Sequence, residues 1–450
     1  MAMTDEVPVH LRGNGAPVHD ERTITDLEVR GAIPTELDGR YVRNGANPIT
    51  GWSDHPFLGD GMLHGIRLRD GRAEWYRNRY VQTPFIADPS KPVIDLESGV
   101  MDMRDSKANT NVVGHAGRIF ALEEGHFPYV VDGMLDTVGP TDFGGALTGP
   151  FTAHPKICPE TGEMLAFGYS LFEPYLTYHR ISADGRLVQS EPITVGGPTM
   201  MHDFNITRNH IVVMDLPAVF DLELALRGEL PITWGSDYPA RLGVMPRTGN
   251  DADVVWYDIA PCYVFHPMNA YEDGDRIVLD VARLDHIWRD GPMDFPAPYL
   301  CRWTIDTTSR TVTEEQVDDL AAEFPRVADR VTGLRHRYGY MMATANEAAF
   351  SDLSSANGVI AKYDRDTGAR STIELGRGRM PGEAVFVPRD GSQAEDDGYL
   401  MTYVHDSNTG ISEFVIFDAE TMSAEPIASV SLPRVPFGFH GNWIDAGVAG

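Results

Sequence analysis

The segment Pro436-Phe-Gly-Phe-His440-Gly-Asn-Trp443 reads as the end of a β-strand with the tight turn beside it. Three other histidines have similar surroundings, in Phe151-Thr-Ala-His154-Pro, Met201-His202-Asp-Phe204 and Val264-Phe-His266-Pro-Met268. Consecutive members of this set are 48, 64 and 174 residues apart, so neither a helix nor a hairpin can gather them. A closed, repetitive fold that brings distant strands to one axis can gather them. The four histidines are therefore candidates for one metal centre.

Short apolar segments bounded by turn residues recur along the chain, and their lengths suit β-strands. They include Arg118–Glu124, Met164–Gly168, His210–Asp215, Arg276–Asp280, Val359–Tyr363 and Tyr399–Val404. Asp-Gly pairs, which favour tight hairpin turns, stand between or beside such segments. They are Asp70-Gly71, Asp184-Gly185, Asp273-Gly274 and Asp397-Gly398. Hairpins in series predict an all-β protein, built either as sandwich repeats or as a propeller.

The chain length favours the propeller. A four-stranded blade with its turns takes about 40 to 60 residues, so the 450 residues fill about seven blades plus insertions. No Ser/Gly-rich linker divides the chain, which predicts one catalytic domain over residues 21–450 behind a flexible segment at 1–20. Leu216–Glu229 and the stretch near Glu314–Phe324 break the hairpin rhythm. We expect helical or loop insertions there that form a cap, the first of them covering about 216–250.

Composition narrows the partners and the compartment. The net charge of −29 repels phosphate backbones, so we do not expect the protein to bind nucleic acid. Three cysteines without a C-x-x-C pair indicate neither a disulfide framework nor a zinc ribbon, and they suit a reducing cytoplasm. We expect a cytoplasmic protein, soluble or peripherally membrane-associated. Transient membrane contact is one interpretation of the apolar insertion at Pro217–Trp234, and ordinary packing on the β-body is the other.

Imidazole binds iron, copper, zinc and nickel, and four neutral imidazoles leave the charge of a divalent ion uncompensated. Zinc usually recruits thiolate or carboxylate ligands as well, and neither stands beside these histidines in the sequence. An all-imidazole set with open coordination positions suits Fe(II) and O2 chemistry. Taken singly, each histidine also fits a hydrogen-bonded core or turn position.

Several motifs in a fixed order make the chain resemble the carotenoid cleavage oxygenase family along nearly its whole length. Beside the four histidine segments they are Gly39–Pro48, Gly59–His64, Ala108–Asn111, His154–Lys156 followed by Thr161–Glu163, and Gly382–Pro388. The resemblance implies a seven-bladed propeller with one Fe(II) per chain on its axis, and a cap of loops and helices that forms an apolar substrate tunnel. O2 is the implied co-substrate, and no organic cofactor is implied.

The implied activity is cleavage of a conjugated C=C bond in a carotenoid or apocarotenoid, with two carbonyl products. Cleavage of stilbene or phenylpropanoid alkenes to aromatic aldehydes is an alternative. An isomerase that uses the same iron and a propeller that merely binds a ligand are further alternatives. The sequence leaves the substrate, the cleaved bond and the oligomeric state open.

The resemblance also assigns roles behind the ligands. Glu124, Glu323 and Glu383 match three glutamates that accept hydrogen bonds from the outer nitrogens of ligand histidines. Such carboxylates fix the tautomer and supply the charge that neutral ligands lack. Thr110 matches a threonine whose methyl group hinders one open coordination position. A solvated surface charge is the ordinary alternative for each glutamate, and a plain strand residue is the alternative for Thr110.

Substrate contacts are harder to predict. Among aromatic residues near the motifs we take Tyr80, Phe127 and Phe204 as candidates for binding substrate, although most aromatic residues are expected to be core. In stilbene-cleaving members of the family a lysine commonly precedes the first glutamate and engages the phenol oxygen. This chain has Glu123 there. A carboxylate cannot stabilise a phenolate, so the sequence favours an apolar polyene.

Overall fold

The computed structural model describes residues 7–91, 102–227, 230–344 and 357–448. Within them it contains 32 β-strands, numbered in chain order. The first eight are β1 (Arg22–Ile24), β2 (Val29–Gly31), β3 (Gly39–Arg43), β4 (Met62–Arg69), β5 (Arg72–Tyr80), β6 (Asn111–His115), β7 (Arg118–Leu122) and β8 (Tyr129–Val131). The next eight are β9 (Thr137–Pro140), β10 (Lys156–Ile157), β11 (Met164–Tyr169), β12 (Leu176–Ile181), β13 (Leu187–Pro192), β14 (Asn205–Ile206), β15 (His210–Asp215) and β16 (Ala218–Phe220). Then follow β17 (Ile232–Trp234), β18 (Arg241–Pro246), β19 (Val255–Asp258), β20 (Tyr263–Asp273), β21 (Arg276–Leu284), β22 (Tyr299–Asp306), β23 (Thr311–Arg326) and β24 (Tyr338–Thr344). The last are β25 (Gly358–Asp364), β26 (Ala369–Glu374), β27 (Arg379–Pro381), β28 (Val385–Pro388), β29 (Gly398–Asp406), β30 (Ile411–Asp418), β31 (Ala428–Leu432) and β32 (Gly441–Asp445).

Helices in the described residues are few and short. They are α1 (Pro84–Ala87), α2 (Leu222–Leu226) and four 3₁₀ turns at Val9–Leu11, Gly13–Gly15, Asp251–Asp253 and Asp329–Val331. None of these combines the length and the apolar character that crossing a bilayer requires. The prediction of an all-β protein is confirmed.

The strands form seven antiparallel blades. Blade I contains β1, β5, β4, β3 and β32, blade II β6 to β9, blade III β10 to β13, and blade IV β14, β15, β18 and β19. Blades V and VI share the sixteen-residue strand β23, which pairs with β22 in its first part and with β24 near its end. Blade V is completed by β20 to β22 and blade VI by β24 to β26; blade VII contains β27 to β31 with β2.

Both ends of the chain close the ring. Near the N-terminus β2 pairs with β31 on blade VII, and β3 belongs to blade I. Near the C-terminus β32 pairs with β3, with Arg43 opposite Gly441. Blades I and VII therefore both combine strands from the two ends of the sequence, which ties the first and last blades together.

Apolar packing between neighbouring blades runs around the whole ring. Hydrophobic clusters join blades I and II, II and III, III to V, V and VI, VI and VII, and VII and I. Strand β29 shows the pattern, because Tyr399 and Met401 pack toward blade I while Leu400 and Val404 pack toward blade VI. Successive side chains of a strand point to opposite faces, so a blade with two buried faces needs a nearly continuous apolar run. The seven-bladed propeller predicted from the sequence is confirmed.

Five of the six apolar segments predicted as strands lie wholly in strands, and the sixth, Arg118–Glu124, leaves β7 after Leu122. Most of the Asp-Gly turns are tight hairpin turns. Asp70 and Gly71 join β4 to β5 with positive φ angles of 49° and 71°. Gly185 and Gly274 also have positive φ, at 84° and 61°. Asp397-Gly398 differs, because Gly398 is the first residue of β29 and pairs with Pro388 across a longer loop.

The expectation of a helical or loop insertion near Glu314–Phe324 is wrong. These residues lie inside β23, with Glu314 opposite Trp303 and Glu323 opposite Met342. The run of acidic side chains has weak intrinsic strand preference, but it lies on a largely exposed strand whose pairing partners set its conformation.

The first insertion contains β16, α2 and β17 between β15 and β18 of blade IV, while residues 228 and 229 lie outside the described residues. The segment ahead of residue 21 contacts the propeller in its described part, residues 7–20. The main-chain oxygen of Asn14 accepts the Phe437 N–H at 2.9 Å, and Arg434 Nη1 donates to the Ala16 oxygen at 2.6 Å. The domain boundary at residue 20 stays a prediction.

Candidate metal centre

Each of the four histidines stands just before, or near the start of, a strand at the inner edge of its blade. His154 lies two residues before β10, His202 three residues before β14, and His440 directly before β32. His266 lies within β20, where the pairing with β21 shifts register between Val264 and Pro267. Proline cannot donate to a ladder, so the strand bulges beside the histidine and turns it out of the regular pairing.

The structure brings the four histidines together. One ring nitrogen from each forms a group whose members all lie within 4.8 Å of one another. Nε2 of His202 is 3.1 Å from Nε2 of His154 and 3.2 Å from Nε2 of His266. The His440 ring centroid is 4.6 Å from those of His154 and His266. Four imidazole nitrogens converging at this separation form a site that fits one metal ion.

Burial and neighbouring charges set the protonation of the rings. Burial, together with the three neighbouring histidines, lowers the pKa of His154 well below its ordinary value. Burial also lowers the pKa of His266, although Glu323 opposes it. For His202 burial lowers the pKa, but the Glu124 carboxylate outweighs it and leaves the pKa raised. His154 and His266 are therefore held in the neutral form that binds a metal.

The three predicted glutamates lie behind three of the histidines. Oε1 of Glu124 is 2.5 Å from Nδ1 of His202, and the other oxygen of Glu124 accepts the Tyr169 hydroxyl. Oε2 of Glu323 is 2.6 Å from Nδ1 of His266. These carboxylates orient the rings from the side opposite the converging Nε2 atoms.

Glu383 is held by more partners than the other two. Oε1 is 3.1 Å from Nδ1 of His440, and Oε2 accepts the Gly441 N–H at 2.9 Å. Nη1 of Arg326 lies 3.3 Å from the same Oε2. Burial by itself would raise the pKa of Glu383, but Arg326 and His440 lower it to about 2.

A fourth carboxylate, which sequence reasoning missed, faces His154. Oδ2 of Asp203 is 3.7 Å from Nδ1 of His154, and Lys156 Nζ lies 2.8 Å from Oδ1. Burial raises the pKa of the Asp203 carboxyl, and Lys156 opposes that rise. The signal was present in the sequence, because Asp203 directly follows His202 and Lys156 stands two residues after His154.

Thr110 is anchored next to His440. Its main-chain oxygen accepts the His440 N–H at 3.2 Å, and its own N–H donates to Leu122 at 2.9 Å. The hydroxyl donates to Oδ1 of Asn109 at 2.9 Å. The hydroxyl group is thereby engaged by a neighbour, and the role of the methyl group stays a prediction.

The three candidates for binding substrate lie in different surroundings. The Tyr80 hydroxyl is 2.5 Å from Nδ2 of Asn47 and 3.2 Å from the Val18 oxygen, beside the N-terminal segment. Phe127 packs in the cluster between blades II and III. Phe204 is fully buried with its ring 5.2 Å from that of Phe167. The structure does not bring these three together, and their role stays a prediction.

A different set of aromatic residues adjoins the histidines. This aromatic cluster contains Phe57, Phe265, Trp288, Phe295 and Phe439, with ring centroids of neighbours 5.7 to 6.4 Å apart. The Phe265 ring is 5.1 Å from the His202 ring and nearly perpendicular to it. Phe265 and Phe439 each directly precede a ligand histidine. These two members of the cluster could therefore have been predicted from the sequence.

The propeller axis holds a cavity of about 380 Å³. Its lining includes His154, His266 and His440, and every blade contributes to it through an innermost strand or the residues beside that strand. Charged groups along it include the Lys156–Asp203 and Arg326–Glu383 pairs. The centre thus has polar surroundings along the axis and apolar surroundings at the aromatic cluster.

Glu123 is engaged by its neighbours. Its Oε2 lies 2.9 Å from Nδ1 of His126 and 3.2 Å from the Ser106 hydroxyl, and Oε1 accepts the Gly125 N–H at 3.0 Å. Burial lowers the pKa of His126, but Glu123 outweighs that effect and leaves it raised. The Glu123 carboxylate is therefore paired with His126.

A seven-bladed propeller with an all-histidine centre at its axis defines a class of metal-dependent enzymes. The model of the family described as retinal pigment epithelial membrane protein matches residues 15–445. The chain belongs to the carotenoid cleavage oxygenase family, as the sequence predicted. The protein is an oxidoreductase of the alkene-cleaving dioxygenase class.

Individual relatives resemble the chain along nearly all of its length. The carotenoid cleavage oxygenase of Mycobacterium tuberculosis is 40% identical, over 96% of this chain and 97% of the relative. Carotenoid 9,10(9',10')-cleavage dioxygenase 1 of Arabidopsis thaliana is 38% identical, over 96% and 89%. The crystal structure of Pseudomonas brassicacearum lignostilbene dioxygenase has a TM-score of 0.88 at 27% identity, covering 99% of this chain and 100% of that one.

Proposed function

We propose that the protein is a non-haem Fe(II) dioxygenase that cleaves a conjugated C=C bond of a carotenoid or apocarotenoid with O2. The observation that carries the proposal is the convergence of four buried histidines beside the aromatic cluster. The histidines supply ligands for one ion, and the aromatic side chains supply an apolar surface for a polyene. Each carbon of the cleaved bond gains one oxygen atom, so both atoms of O2 are used and no reductant is needed.

The donor set and its charges fit Fe(II). Four imidazoles contribute no charge, and two of the four surrounding carboxylates have a cationic partner, Glu383 with Arg326 and Asp203 with Lys156. Glu124 and Glu323 form no ion pair with lysine or arginine among the described residues. Two uncompensated carboxylates balance one dication. Nitrogen ligands without a thiolate, and with coordination positions left open, favour iron over structural zinc.

When bound, the iron would supply activation of O2 toward an electron-rich alkene. The residues of this chain do the rest. His154, His202, His266 and His440 hold the ion. Glu323 and Glu383 fix the tautomers of His266 and His440 by accepting Nδ1–H, and Glu124 places its charge 2.5 Å from Nδ1 of His202. The aromatic cluster would position the polyene and keep water from the alkene. We assign Thr110, whose main-chain oxygen accepts the His440 N–H, the task of restricting access to the bound ion with its methyl group.

Two observations favour a polyene over a stilbene. The relatives with higher identity carry carotenoid-cleaving names, whereas the lignostilbene dioxygenase is 27% identical. In addition, the position of the phenol-binding lysine holds Glu123, whose carboxylate is tied to His126 and Ser106. Stilbene or phenylpropanoid cleavage remains the second candidate because of the close fold match.

Transient membrane contact remains part of the proposal. Leu222 and Leu226 on α2 are 47% and 57% exposed. Exposed leucines on a short insertion suit contact with lipid that holds an apolar substrate. The net charge of −29 favours a neutral over an anionic surface.

Product analysis tests the proposed substrate class. Purified protein with iron and O2 is expected to cleave apocarotenals or carotenoids to two carbonyl products and to cleave 4-hydroxystilbenes poorly. Mass spectrometry after incubation in ¹⁸O2 should find one labelled oxygen in each product when carbonyl exchange is suppressed by rapid trapping. Efficient cleavage of hydroxystilbenes without reaction on any polyene would show that the enzyme acts on stilbenes or phenylpropanoids instead.

A pair of variants at Thr110 separates its methyl from its hydroxyl group. Thr110→Ser removes the methyl group. The loss of one small apolar group costs roughly 0.8 kcal/mol, which corresponds to a turnover lowered about fourfold. Thr110→Val keeps the shape but loses the bond to Asn109, so its turnover should stay closer to that of the unchanged protein. Steady-state rates at saturating substrate measure both. The reverse order would show that the hydroxyl, and not the methyl, is the important group.

A further inference from the structure

Three ligand histidines have a glutamate at the outer nitrogen, and the fourth has an aspartate. Nδ1 of His154 faces Oδ2 of Asp203 at 3.7 Å, whereas the corresponding distances at the other three ligands are 2.5 to 3.1 Å. The longer distance exceeds that of a charge-assisted hydrogen bond, which is about 2.7 to 2.9 Å. Another group binds this carboxylate more closely than His154 does.

Lys156 is that group. Its Nζ lies 2.8 Å from Oδ1 and 2.9 Å from Oδ2 of Asp203, so it shares the oxygen that faces His154. The remaining contact is the Phe204 N–H, which donates to Oδ1 at 2.6 Å. Asp203 is 2% exposed, so solvent has little access to the carboxylate. The contacts are built from residues next to two ligands, on blades III and IV.

We propose that Asp203 is the positioning residue of His154 and that Lys156 sets how strongly it acts. This inference rests on the proposed metal centre. A carboxylate at the outer nitrogen orients the imidazole and makes it a better donor. Lys156 withdraws part of that charge, which makes His154 the ligand with the weakest anionic support. The Asp203–Lys156 pair thereby sets the donor strength of His154 independently of the three ligands that have a glutamate partner.

The two single substitutions are expected to act in opposite directions. Asp203→Asn removes negative charge behind His154 and should weaken metal binding roughly threefold to tenfold, less than the 10- to 100-fold typical of directly bonded partners. Lys156→Met removes a positive charge from the neighbourhood of a dication and should tighten binding by a similar factor. If the pair only held blades III and IV together, both substitutions would weaken binding.

Cobalt(II) alone is a suitable probe, because its visible absorption reports ligand strength without turnover. Metal-free full-length protein is titrated with Co(II), and the dissociation constant and band position are recorded for each variant. Asp203→Asn and Lys156→Met should shift the band in opposite directions. Lys362→Met is the control, since Lys362 on blade VI is likewise a lysine paired with an aspartate, Asp396 of blade VII at 2.6 Å, and lies outside the metal-binding group. It should leave both values unchanged.

The double variant Asp203→Asn/Lys156→Met guards against failure to fold, because it leaves no buried charge unpaired. It should bind Co(II) about as tightly as the unchanged protein. Weaker binding by both singles and by the double, or no change in any of them, would overturn the role of Asp203. Failure of the unchanged protein to bind Co(II), or unaltered binding after His266→Ala, would instead contradict the metal centre itself.

Discussion

Replacing His266 by alanine is expected to leave a folded protein that neither retains metal nor cleaves an alkene. The substitution removes one of four converging nitrogens and leaves Glu323 without the imidazole that it contacts at 2.6 Å. The remaining neutral nitrogens bind a dication far less strongly. Mass spectrometry measures the metal content, far-ultraviolet circular dichroism reports the fold, and product formation measures alkene cleavage.

His405→Ala is the matched control for that experiment. His405 and His266 are both 8% exposed, but His405 contacts Ser412 on blade VII and lies outside the metal-binding group. Its variant should retain metal and activity. Full metal content and activity in the His266→Ala protein would refute the four-histidine site, and loss of both in the control would show that the assay reports folding instead.

Neutralising the carboxylates behind the ligands should have the next largest effect. Glu124→Gln and Glu383→Gln preserve side-chain shape but remove the charge beside His202 and His440. We expect metal affinity or turnover to fall by roughly 10- to 100-fold, the usual result of disturbing a partner of a metal ligand. Competition with a chelator of known affinity measures the first quantity, and steady-state rates measure the second.

Glu413→Gln serves as the control on the same blade as Glu383. Glu413 pairs with Arg379 at 2.7 Å, so the substitution also removes a carboxylate from an arginine, but no ligand histidine is involved. Its metal affinity should match that of the unchanged protein. If Glu124→Gln and Glu383→Gln also matched it, the glutamates would be ordinary structural residues.

The sequence predicted the features that depend on local patterns or on motif order. The six apolar segments became strands because their two faces are both buried between blades, and the histidine segments lie at the inner ends of such strands. Glu314–Phe324 was predicted wrongly, because its strand conformation comes from pairing with β22 and β24 and not from its own composition. Tertiary pairing of this kind leaves little trace in the local sequence.

The site was predictable where a residue type is unusual in its setting. The four histidines stood out by their strand-end surroundings and the three glutamates through the family resemblance, whereas Asp203 resembled a common turn aspartate until the structure placed it opposite His154. The aromatic cluster could not be predicted in full from the sequence. Phe57, Trp288 and Phe295 come from distant loops, so only the fold shows that they meet Phe265 and Phe439.

The pairing of β32 with β3 sets the order in which the protein can be assembled. The two strands are separated by almost the entire chain, and contacts of such long sequence separation form slowly. His440 directly precedes β32, so the fourth ligand reaches the axis only when this last strand docks. Until β32 docks, at most three of the four ligands can reach the axis, and the ring is open. Tight metal retention is therefore a signature of completed folding.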